Sequence, residues 1–505
     1  MEKQGLPLGG RSGVREVAPL LDEDINEELA QFLHSRPFSV FFDGATNNHA
    51  VEAILVRVTV EEKVLHRAIA LQPVDTEADA LMVKGILLRA LQRRGLSLEN
   101  SVAFECDSAA VNLAALRSIN HELGAFHHEE RVAQSVHVFR CCSHGATNSA
   151  NKLSEACSDA LTVLRGLKGL HLSRKARGLF KTITGIEMPF QAENRWLYWH
   201  KMATDILSCW NHLWRFVQRC RDSEIMPRKL NKLSCLDPNN LSRCLRVGLE
   251  LTLMSVVGRP LALFVAAMEG DSMLSPYAYA AIQEVSSVMN ALEGGDHRAI
   301  AFNALIEFSR QHGGNIPRSQ CDALCAEVWR QRKPMIQHWR SNTEKWGDML
   351  VTFKGLSLLD PEQLVQLSPH DIDDCLTKLQ QAEVVPPGGM AQRYMTGIKG
   401  VTSHVLIQLR AELPSLLERA RTRVLMIQEH AAGERQKLLW PWWWSLRQDL
   451  PTFFFVAQRA VLIQPSTAVV ERLFSVVKQS TSSKQSREKM ETMERRALVL
   501  YNDRQ

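Results

Sequence analysis

Short apolar runs follow one another near the start of the sequence. FSVFFD begins at Phe38, AILVRVTV at Ala53 and VLHRAIAL at Val64, and the polar residues 61–63 separate the last two. Runs of this length, rich in Val, Ile and Phe and joined by polar turns, are typical of neighbouring strands. The pattern therefore predicts three consecutive antiparallel strands.

Helix-like stretches alternate with two further strands beyond this point. Thr76, with Asp79 three positions later, resembles a helix N-cap, and the apolar positions that follow keep helical spacing until Gly95. SVAFECD from Ser101 and SVHVFRC from Ser135 are interpreted as the fourth and fifth strands, with a helix between them. This order of strands and helices is the order of a ribonuclease-H-like sheet. We therefore predict an α/β core of that type, with a mixed sheet.

The middle of the chain, from about residue 151 to about residue 447, has almost no strand pattern and many stretches with a helical apolar stripe. The loop VVPPGGM from Val384 is its clearest internal break. We predict an N-terminal tail with a short helix over 1–35, the first part of the core over 36–153, an all-α insertion over 154–448 and a C-terminal completion of the core over 449–505.

A last amphipathic helix is predicted near the end of the chain, with Ser466 or Thr467 as its cap. Its apolar stripe consists of Val470, Leu473, Phe474 and Val477. Glu471 lies at the edge of this stripe, so its carboxylate can face the sheet edge while its neighbours pack into the core. The charged tail after this helix is expected to dock on the core or on a second subunit.

Composition narrows the class of protein only slightly. The 505 residues include 60 Lys and Arg and 55 Asp and Glu, and the formal net charge of +5 permits a nucleic-acid partner without requiring one. The 11 cysteines are odd in number and irregularly spaced, which favours a reducing compartment. We expect no signal peptide, because the first residues lack an apolar core, and no membrane span, because Arg259 and Pro260 interrupt the most apolar later stretch.

Three acids are candidates for metal-dependent phosphodiester chemistry. Asp43 closes the predicted first strand, Asp107 closes the fourth, and Glu471 lies on the last helix. Such chemistry needs an activated oxygen nucleophile and stabilisation of charge on the phosphate, which two Mg²⁺ (or Mn²⁺) ions held by about three carboxylates provide. Taken singly, an Asp after a strand is a common turn residue, and a Glu on a helix is usually solvated.

Five motifs occur in an order that resembles the transposases of the hAT (hobo, Activator, Tam) superfamily. Asp43-Gly44-Ala45-Thr46 is similar to their strand-end Asp-Gly-x-Thr, and Asp107 to their second catalytic Asp. Arg140-Cys141-Cys142-Ser143-His144 matches their Cys-x-x-His segment, and Glu193-Asn194-Arg195-Trp196 their Arg-Trp pair. IQPSTAVVERLFSVV, which contains Glu471, resembles their C-terminal signature, a region often associated with dimerisation.

The resemblance implies a role for each matched residue. The three acids would be catalytic and would hold the metal ions, His144 would lie near the scissile phosphate, and Arg195 would contact a phosphate. Trp196 would stack on a base that has left the duplex. DNA and further copies of the chain are the implied partners, in the nucleus, with neither a membrane nor a small-molecule substrate involved.

Two of these positions have simpler explanations that stay open. Cys141 and His144, with His127, His128 and His137 nearby, could bind zinc, although a structural zinc site normally has two spaced pairs of ligands. Cys141 could instead be a buried residue at a strand end. Trp196 could belong to a hydrophobic core, because other tryptophans follow it at helical spacings.

Two further clusters are interpreted without a catalytic role. The acids in HDIDDCL, at Asp371, Asp373 and Asp374, fit the start of a helix, where negative charge is stabilised by the helix dipole. The aromatic run WPWWW from Trp440, with FFF from Phe453, is interpreted as a packing surface, with a protein interface as the alternative.

The sequence departs from the hAT pattern in one respect that bears on function. Many of these transposases begin with a zinc-binding BED finger, and this chain has no cysteine before Cys106. Two hypotheses therefore remain: a metal-dependent DNA transposase, or a domesticated or decayed homologue that acts as a dimerising, DNA- or chromatin-associated module.

Overall fold

A computed structural model describes residues 36–47, 49–74, 78–124, 135–189, 198–384, 394–427, 429–480, 498, 501 and 502. Its contacts divide the chain into two compact units. The first unit comprises residues up to Cys142, Met268–Ala280 and the chain from Trp346 onward, and the second comprises Ser143–Ala267 and Ala281–Lys345. The segment that the sequence assigned to one insertion, residues 154–448, is therefore divided between the two units.

A five-stranded mixed sheet lies in the first unit, with the strand order β3-β2-β1-β4-β5. Its strands are β1 (Phe38–Asn47), β2 (His49–Val60), β3 (Lys63–Val74), β4 (Ser101–Cys106) and β5 (Val138–Arg140). β1 to β3 pair antiparallel, whereas β4 pairs parallel with both β1 and β5. The prediction of a mixed α/β fold with three antiparallel strands followed by two more is confirmed.

Two helices cover one face of the sheet, α1 (Ala80–Arg93) and α2 (Ala110–Gly124). Their apolar sides pack on alternate residues of β1, which include Phe38, Val40 and Phe42. The predicted N-cap at Thr76 is wrong, because α1 begins at Ala80 and the carboxylate of Asp79 accepts the capping hydrogen bond from the backbone of Met82. Thr76 itself lies outside the described residues.

Helices make up nearly all of the second unit. In chain order they are α3 (Cys142–Ala156), α4 (Ser158–His171), α5 (Arg174–Thr184), α6 (Tyr198–Ser208), α7 (Trp210–Asp222), α8 (Pro227–Leu230), α9 (Leu241–Met268), α10 (Ser275–Gly294), α11 (Asp296–His312), α12 (Arg318–Arg330) and α13 (Lys333–Lys345). A short 3-10 helix, Asn231–Leu236, follows α8. The end of α9 and the start of α10 belong to the first unit. The helical character predicted for this part of the chain is confirmed.

Helix α9 is a long apolar helix that continues through Pro260. By length and composition it is long and apolar enough to cross a membrane, with a mean hydropathy of 1.8 in its most apolar window. That window is 56% buried inside the protein, and the core helix of a globular domain passes the same test. Within the second unit, the fully buried carboxylate of Glu250 on α9 accepts hydrogen bonds from the backbone of Ala160 and the side chain of Gln331.

Helices also predominate in the chain that returns to the first unit. They are α14 (Gly347–Leu356), α15 (Pro361–Leu364), α16 (Pro369–Leu379), α17 (Ser403–Ile427), α18 (Ala432–Lys437), α19 (Leu439–Ser445), α20 (Pro451–Ala460) and α21 (Ala468–Ser480). Between α16 and α17, the short strands β6 (Ala382–Val384) and β7 (Tyr394–Thr396) pair antiparallel. The prediction of helices alone in this region is therefore wrong, because a small hairpin forms on either side of residues 385–393, which lie outside the described residues.

The acidic cluster in HDIDDCL and the aromatic run WPWWW, for which no catalytic role was predicted, both have structural roles. Ser368 caps α16, Asp371 lies in the first turn, and Asp374 forms ion pairs with Lys354 and Lys378, so the predicted helix start is confirmed. In the aromatic run, Trp443 is fully buried and its indole N–H donates to the carbonyl oxygen of Leu359 at 2.9 Å. The packing role predicted for the aromatic run is confirmed at this position.

The described residues at the end of the chain cover the outer strand of the sheet. Leu498 and Tyr501 belong to a hydrophobic cluster with residues of β2 and β3. The side chain of Asn502 accepts a hydrogen bond from the backbone N–H of Ala68 at 2.9 Å and donates one to its carbonyl oxygen at 3.1 Å. These bonds satisfy backbone groups that an edge strand leaves free, so the chain docks on the core at these described residues.

Candidate functional site

Asp43 lies inside β1, where it is largely buried. Strand β1 continues to Asn47, so the prediction that Asp43 closes the strand is wrong. Because side chains alternate along a strand, Asp43 shares a face with Phe41, which belongs to the cluster opposite α1 and α2. Asp43 is 8% exposed, and its Oδ1 accepts a hydrogen bond from the backbone N–H of Gly44 at 2.8 Å.

Asp107 directly follows β4 and lies next to Asp43 in register. The last parallel pair between β1 and β4 is Phe41 with Glu105, so each Asp lies two positions beyond it. Neighbouring strands are about 4.8 Å apart, which makes the two aspartates lateral neighbours at one sheet edge. Burial raises the pKa of the Cys106 thiol well above its ordinary value, and the charges of both aspartates raise it further. This effect is consistent with both carboxylates lying close to Cys106.

The carboxylate of Asp107 also holds the start of α2. Its Oδ1 accepts hydrogen bonds from the backbone N–H of Ala109 at 2.9 Å and from the Asn112 amide at 2.8 Å. These bonds satisfy a donor at a helix N-terminus, which is the usual structural role of an Asp at this position. Asp107 therefore has a local structural role as well as its position beside Asp43.

Helix α21 carries Glu471 back to the sheet face on which Asp43 lies. Val470 and Leu473 are fully buried in a cluster with Phe41 and Ala53, and Ala53 is the residue paired with Asp43. Glu471 lies in the first turn of α21 and is half-buried. The expected return of a late helix to the sheet is therefore present in the fold.

The segment just before α21 is fixed to the ends of β4 and β5. The backbone N–H of Gln464 donates to Oε1 of Glu105 at 2.8 Å, and the carbonyl oxygen of Pro465 accepts from the backbone of Cys142 at 2.8 Å. Ser466 Oγ accepts from the backbone N–H of Ala468 at 3.2 Å, so the predicted cap is confirmed at Ser466. The segment that leads into α21 is thus fixed at the ends of β4 and β5, and Asp107 directly follows β4.

Arg57 and Glu105, two buried charged residues of the sheet, hold the segment that precedes α21. Arg57 on β2 is fully buried, and its guanidinium donates to the carbonyl oxygens of Val461 at 2.8 Å, Asp271 at 3.0 Å and Ser272 at 3.1 Å. Burial lowers the pKa of Arg57 to about 10 and raises the pKa of Glu105 well above its ordinary value. These hydrogen bonds fix the backbone that precedes α21 against the sheet.

Glu52 is an acid at this edge that the sequence analysis missed. It faces Gly44 across the β1–β2 pair, and a Cβ added to Gly44 would lie 2.7 Å from its Oε1. Burial raises the pKa of Glu52, and the charge of Asp107 raises it further. Its Oε2 is buried and has no hydrogen-bond partner among the described residues. The sequence feature that could have indicated Glu52 is an acid inside an apolar strand, opposite a glycine of the neighbouring strand.

Of the remaining predicted residues, the structure describes Cys141 and His144 but not Arg195 and Trp196. Cys141 is buried after β5, and its sulfur accepts a hydrogen bond from the backbone of Thr467 at 3.3 Å, which fits the simpler reading of a buried strand-end residue. His144 is half-buried in α3 and belongs to the second unit. Arg195 and Trp196 fall in residues 190–197, which lie outside the described residues.

The oxygen donors at the sheet edge are of the type that Mg²⁺ prefers. Asp43 and Asp107 provide carboxylates from neighbouring strands, and the buried Glu52 Oε2 is a further oxygen without a partner within the described chain. Over the described ranges, which include Asp43, Asp107 and Glu471, no group of three or more His, Cys, Asp or Glu side chains is close enough together to hold a metal ion. The zinc alternative stays a prediction, because two of its candidate ligands, His127 and His128, lie outside the described residues.

The described residues define a mixed α/β protein in which acids lie near the end of β4 and a late helix packs on β1 and β2. No family model matches the chain, and no curated protein matches it. The resemblance to hAT transposases therefore rests on the motifs of the sequence.

Proposed function

We propose that the chain is an hAT-like DNA transposase with a ribonuclease-H-like core, which cleaves and transfers DNA strands with Asp43, Asp107 and Glu471. One observation carries the proposal: the parallel register of β1 and β4 makes Asp43 and Asp107 lateral neighbours at the sheet edge. The strand order β3-β2-β1-β4-β5, with the first three strands antiparallel and the last two parallel to β1, supports the ribonuclease-H-like assignment.

Mg²⁺ is the proposed cofactor, and Asp43 and Asp107 would hold it with Glu471 as a third ligand. When bound, the ion would activate the attacking oxygen and stabilise charge on the phosphate. The oxygen donors fit such an ion in chemical type, and the anchored start of α21 supports the assignment of Glu471. The reaction would be in-line attack by water or a terminal 3′-hydroxyl on the phosphorus of a phosphodiester: the new P–O bond would form as the opposite P–O bond breaks, the attacking oxygen would lose its proton, and the leaving deoxyribose oxygen would take one up.

Other residues would position the DNA in this proposal. His144 would contact the scissile phosphate, Arg195 a neighbouring phosphate, and Trp196 would stack on a displaced base, recovering about 1–3 kcal/mol of lost stacking. These roles follow from the motif resemblance. The proposed partners are DNA and further copies of the chain, in the nucleus.

A cleavage assay tests the proposal directly. The purified chain would be incubated with nicked or hairpin-forming DNA in Mg²⁺ or Mn²⁺, and compared with Asp43→Asn, Asp107→Asn and Glu471→Gln. We expect product from the parent chain and none from the three variants, because each removes a carboxylate needed for the ion. Glu418→Gln, which changes an exposed acid on α17, is the matched control and should keep full activity. Equal activity in all five proteins would exclude the proposed site.

A domesticated homologue without cleavage activity is the second candidate, and one observation favours it. The Asp107 carboxylate is engaged by Ala109 and Asn112 at the start of α2, which gives this acid a structural role without catalysis. Such a protein would bind DNA or chromatin as a dimer and leave strands intact. DNA binding by the parent chain, with no cleavage in either metal ion, would favour this candidate.

A further inference from the structure

Positive charge is concentrated in one small part of the second unit. Helices α5, α7 and α8 and the 3-10 helix Asn231–Leu236 together contain ten Lys and Arg residues and one acid, Asp222. Their surplus of positive charge exceeds the +5 of the whole chain, so the rest of the chain is net negative. We call the exposed Lys and Arg side chains of these four elements the basic helical surface.

These elements pack into one compact group with their apolar sides inward. Phe180 of α5 meets Phe216 of α7 edge to face, with ring centroids 5.0 Å apart, and both rings are fully buried. An amphipathic helix that buries its apolar stripe leaves its polar side in solvent. Arg174 and Lys175 on α5 are accordingly exposed, as is Arg215 on α7.

Helix α8 and the 3-10 helix complete the group on the side of α4. Leu230 and Leu233 are buried, and Leu233 approaches Gly166 of α4 so closely that an added Cβ would lie 2.8 Å from its side chain. The neighbouring basic residues Lys229 and Lys232 are exposed. The same packing that buries the leucines therefore directs these ammonium groups into solvent.

Little of this charge is neutralised by nearby acids. Lys181 forms an ion pair with Glu187, but Arg174, Lys175, Arg215 and Arg219 form no ion pair with any described residue. An ordinary solvated helix face carries both positive and negative side chains, which form many ion pairs. A surface of a single sign instead attracts a polyanion, and its counterions are released when phosphates replace them.

An aromatic side chain lies within the same surface. Trp214 of α7 is half-buried, and the guanidinium carbon of Arg221 lies 5.1 Å from its ring centroid. Basic residues interleaved with an aromatic ring are the composition of nucleic-acid-binding surfaces. An anionic membrane would instead be matched by apolar residues that insert among lipid chains, and none of the large exposed apolar residues lies on these four elements.

We propose that the basic helical surface binds the phosphate backbone of duplex DNA without reading its sequence. This inference deepens the proposed function, because it names a surface that would hold the DNA, and it rests on that function only for the choice of DNA as the polyanion. It does not depend on the acidic sheet edge.

The test measures binding of the full chain to a short fluorescent DNA duplex by anisotropy, over a series of NaCl concentrations. The variant is the triple change Lys175→Gln, Arg215→Gln and Arg219→Gln, and the matched control is Arg318→Gln, Arg330→Gln and Lys333→Gln. All six residues are exposed and lie in the same unit, so both variants should fold, which circular dichroism and thermal melting would check.

We expect the first variant to bind DNA at least about tenfold more weakly than the parent. The plot of log affinity against log salt should also become shallower, with the magnitude of its slope smaller by about three. The control variant should keep the parent affinity and slope. Unchanged affinity and slope in the first variant, or an equal loss in the control, would overturn the proposal. Binding to phosphatidylserine vesicles but not to duplex DNA would also overturn it.

Failure of this proposal and failure of the proposed function give different results. If the parent binds DNA through this surface and cleaves nothing, the basic helical surface stands and the transposase assignment does not. If the parent cleaves DNA and the triple variant binds and cleaves like the parent, the transposase assignment stands and the proposal for the basic helical surface does not.

Discussion

Gly44 leaves room on β1 for the carboxylate of Glu52, its partner on β2. Because an added Cβ would lie 2.7 Å from Glu52 Oε1, any side chain at this position would displace the carboxylate. The glycine of the Asp-Gly motif therefore lies against the carboxylate of Glu52, whose pKa is raised by burial and by the charge of Asp107. The arrangement buries negative charge at the sheet edge, and burial of a charge without a partner costs free energy of folding.

Replacing Glu52 with glutamine should stabilise the protein in the absence of divalent ions. Glu52→Gln removes a buried charge next to Asp107 while keeping the shape of the side chain, so we expect a gain of about 1 kcal/mol in the free energy of unfolding at neutral pH. Urea unfolding in EDTA would measure it, with Glu418→Gln as an exposed control. A loss of stability in Glu52→Gln would mean that the carboxylate has a favourable partner. If the edge binds Mg²⁺, the added ion should stabilise the parent more than Glu52→Gln.

His137, just before β5, makes stability sensitive to acid. Burial, with the nearby charge of Lys399, lowers its pKa from 6.5 to about 3, so the folded protein keeps this imidazole neutral. The unfolded chain takes up a proton as the pH falls below 6.5. The contribution of His137 to stability is therefore complete above this pH and is lost progressively between 6.5 and about 3.

His137→Gln should make the free energy of unfolding less dependent on pH in that window. We expect the parent to lose up to about 1.4 kcal/mol per pH unit through this group, and the variant to lack that part of the slope. Urea unfolding at several pH values would measure both slopes. The exposed His404→Gln serves as a control and should keep the parent slope. Identical slopes in the parent and His137→Gln would contradict the assignment.

At the scale of elements, the position of α21 is decided by contacts at both its start and its apolar face. Its start is tied to Glu105 on β4 and to Cys142 after β5 through the backbone of Gln464 and Pro465. Its face packs Val470 and Leu473 on β1 and β2. A helix distant in sequence is thereby held beside the strands that carry the two aspartates.

Leu473→Ala should detach or loosen α21 from the sheet. Leu473 is fully buried, and truncation of a buried leucine costs about 2–5 kcal/mol because it removes apolar contacts and leaves a cavity. Urea unfolding would measure the loss, and Ser475→Ala, an exposed position on the same helix, should change little. A loss in Leu473→Ala no larger than that of the control would show that the helix does not dock in solution.

The whole molecule consists of two compact units with different architectures. The first contains the sheet and the helices after residue 346, and the second is helical and carries the basic helical surface. The chain leaves and re-enters the first unit more than once, so each unit is built from segments far apart in sequence. Each unit has its own buried core, as with Trp339 in the second unit, whose ring lies 5.7 Å from Phe264.

Thermal unfolding should therefore occur in more than one transition. Two units with separate cores need not unfold together, so we expect the calorimetric enthalpy to exceed the van't Hoff enthalpy in differential scanning calorimetry. Leu473→Ala should lower one transition and Trp339→Phe the other. A single transition, with equal enthalpies and with the same shift in both variants, would mean that the two units unfold as one.

Local patterns in the sequence were sufficient for most strands and helices. The alternation around Phe41 and Val56 and the cap at Ser466 depend on neighbours within a few residues, and such neighbours are visible in the sequence. The fifth strand was expected from Ser135 but spans only Val138–Arg140, because strand ends depend on pairing with the next strand. The small hairpin of β6 and β7 was missed for the same reason, since three-residue strands carry no periodic signal.

The candidate site depends far more on tertiary contacts. The sequence by itself determined the acids Asp43, Asp107 and Glu471 as candidates and the type of element that carries each. Only the tertiary structure decided that β1 continues past Asp43, that Glu52 shares its edge, and that the start of α21 is anchored near Asp107. The physical reason is that secondary structure follows from short-range spacing, whereas the meeting of groups hundreds of residues apart depends on which apolar faces bury one another.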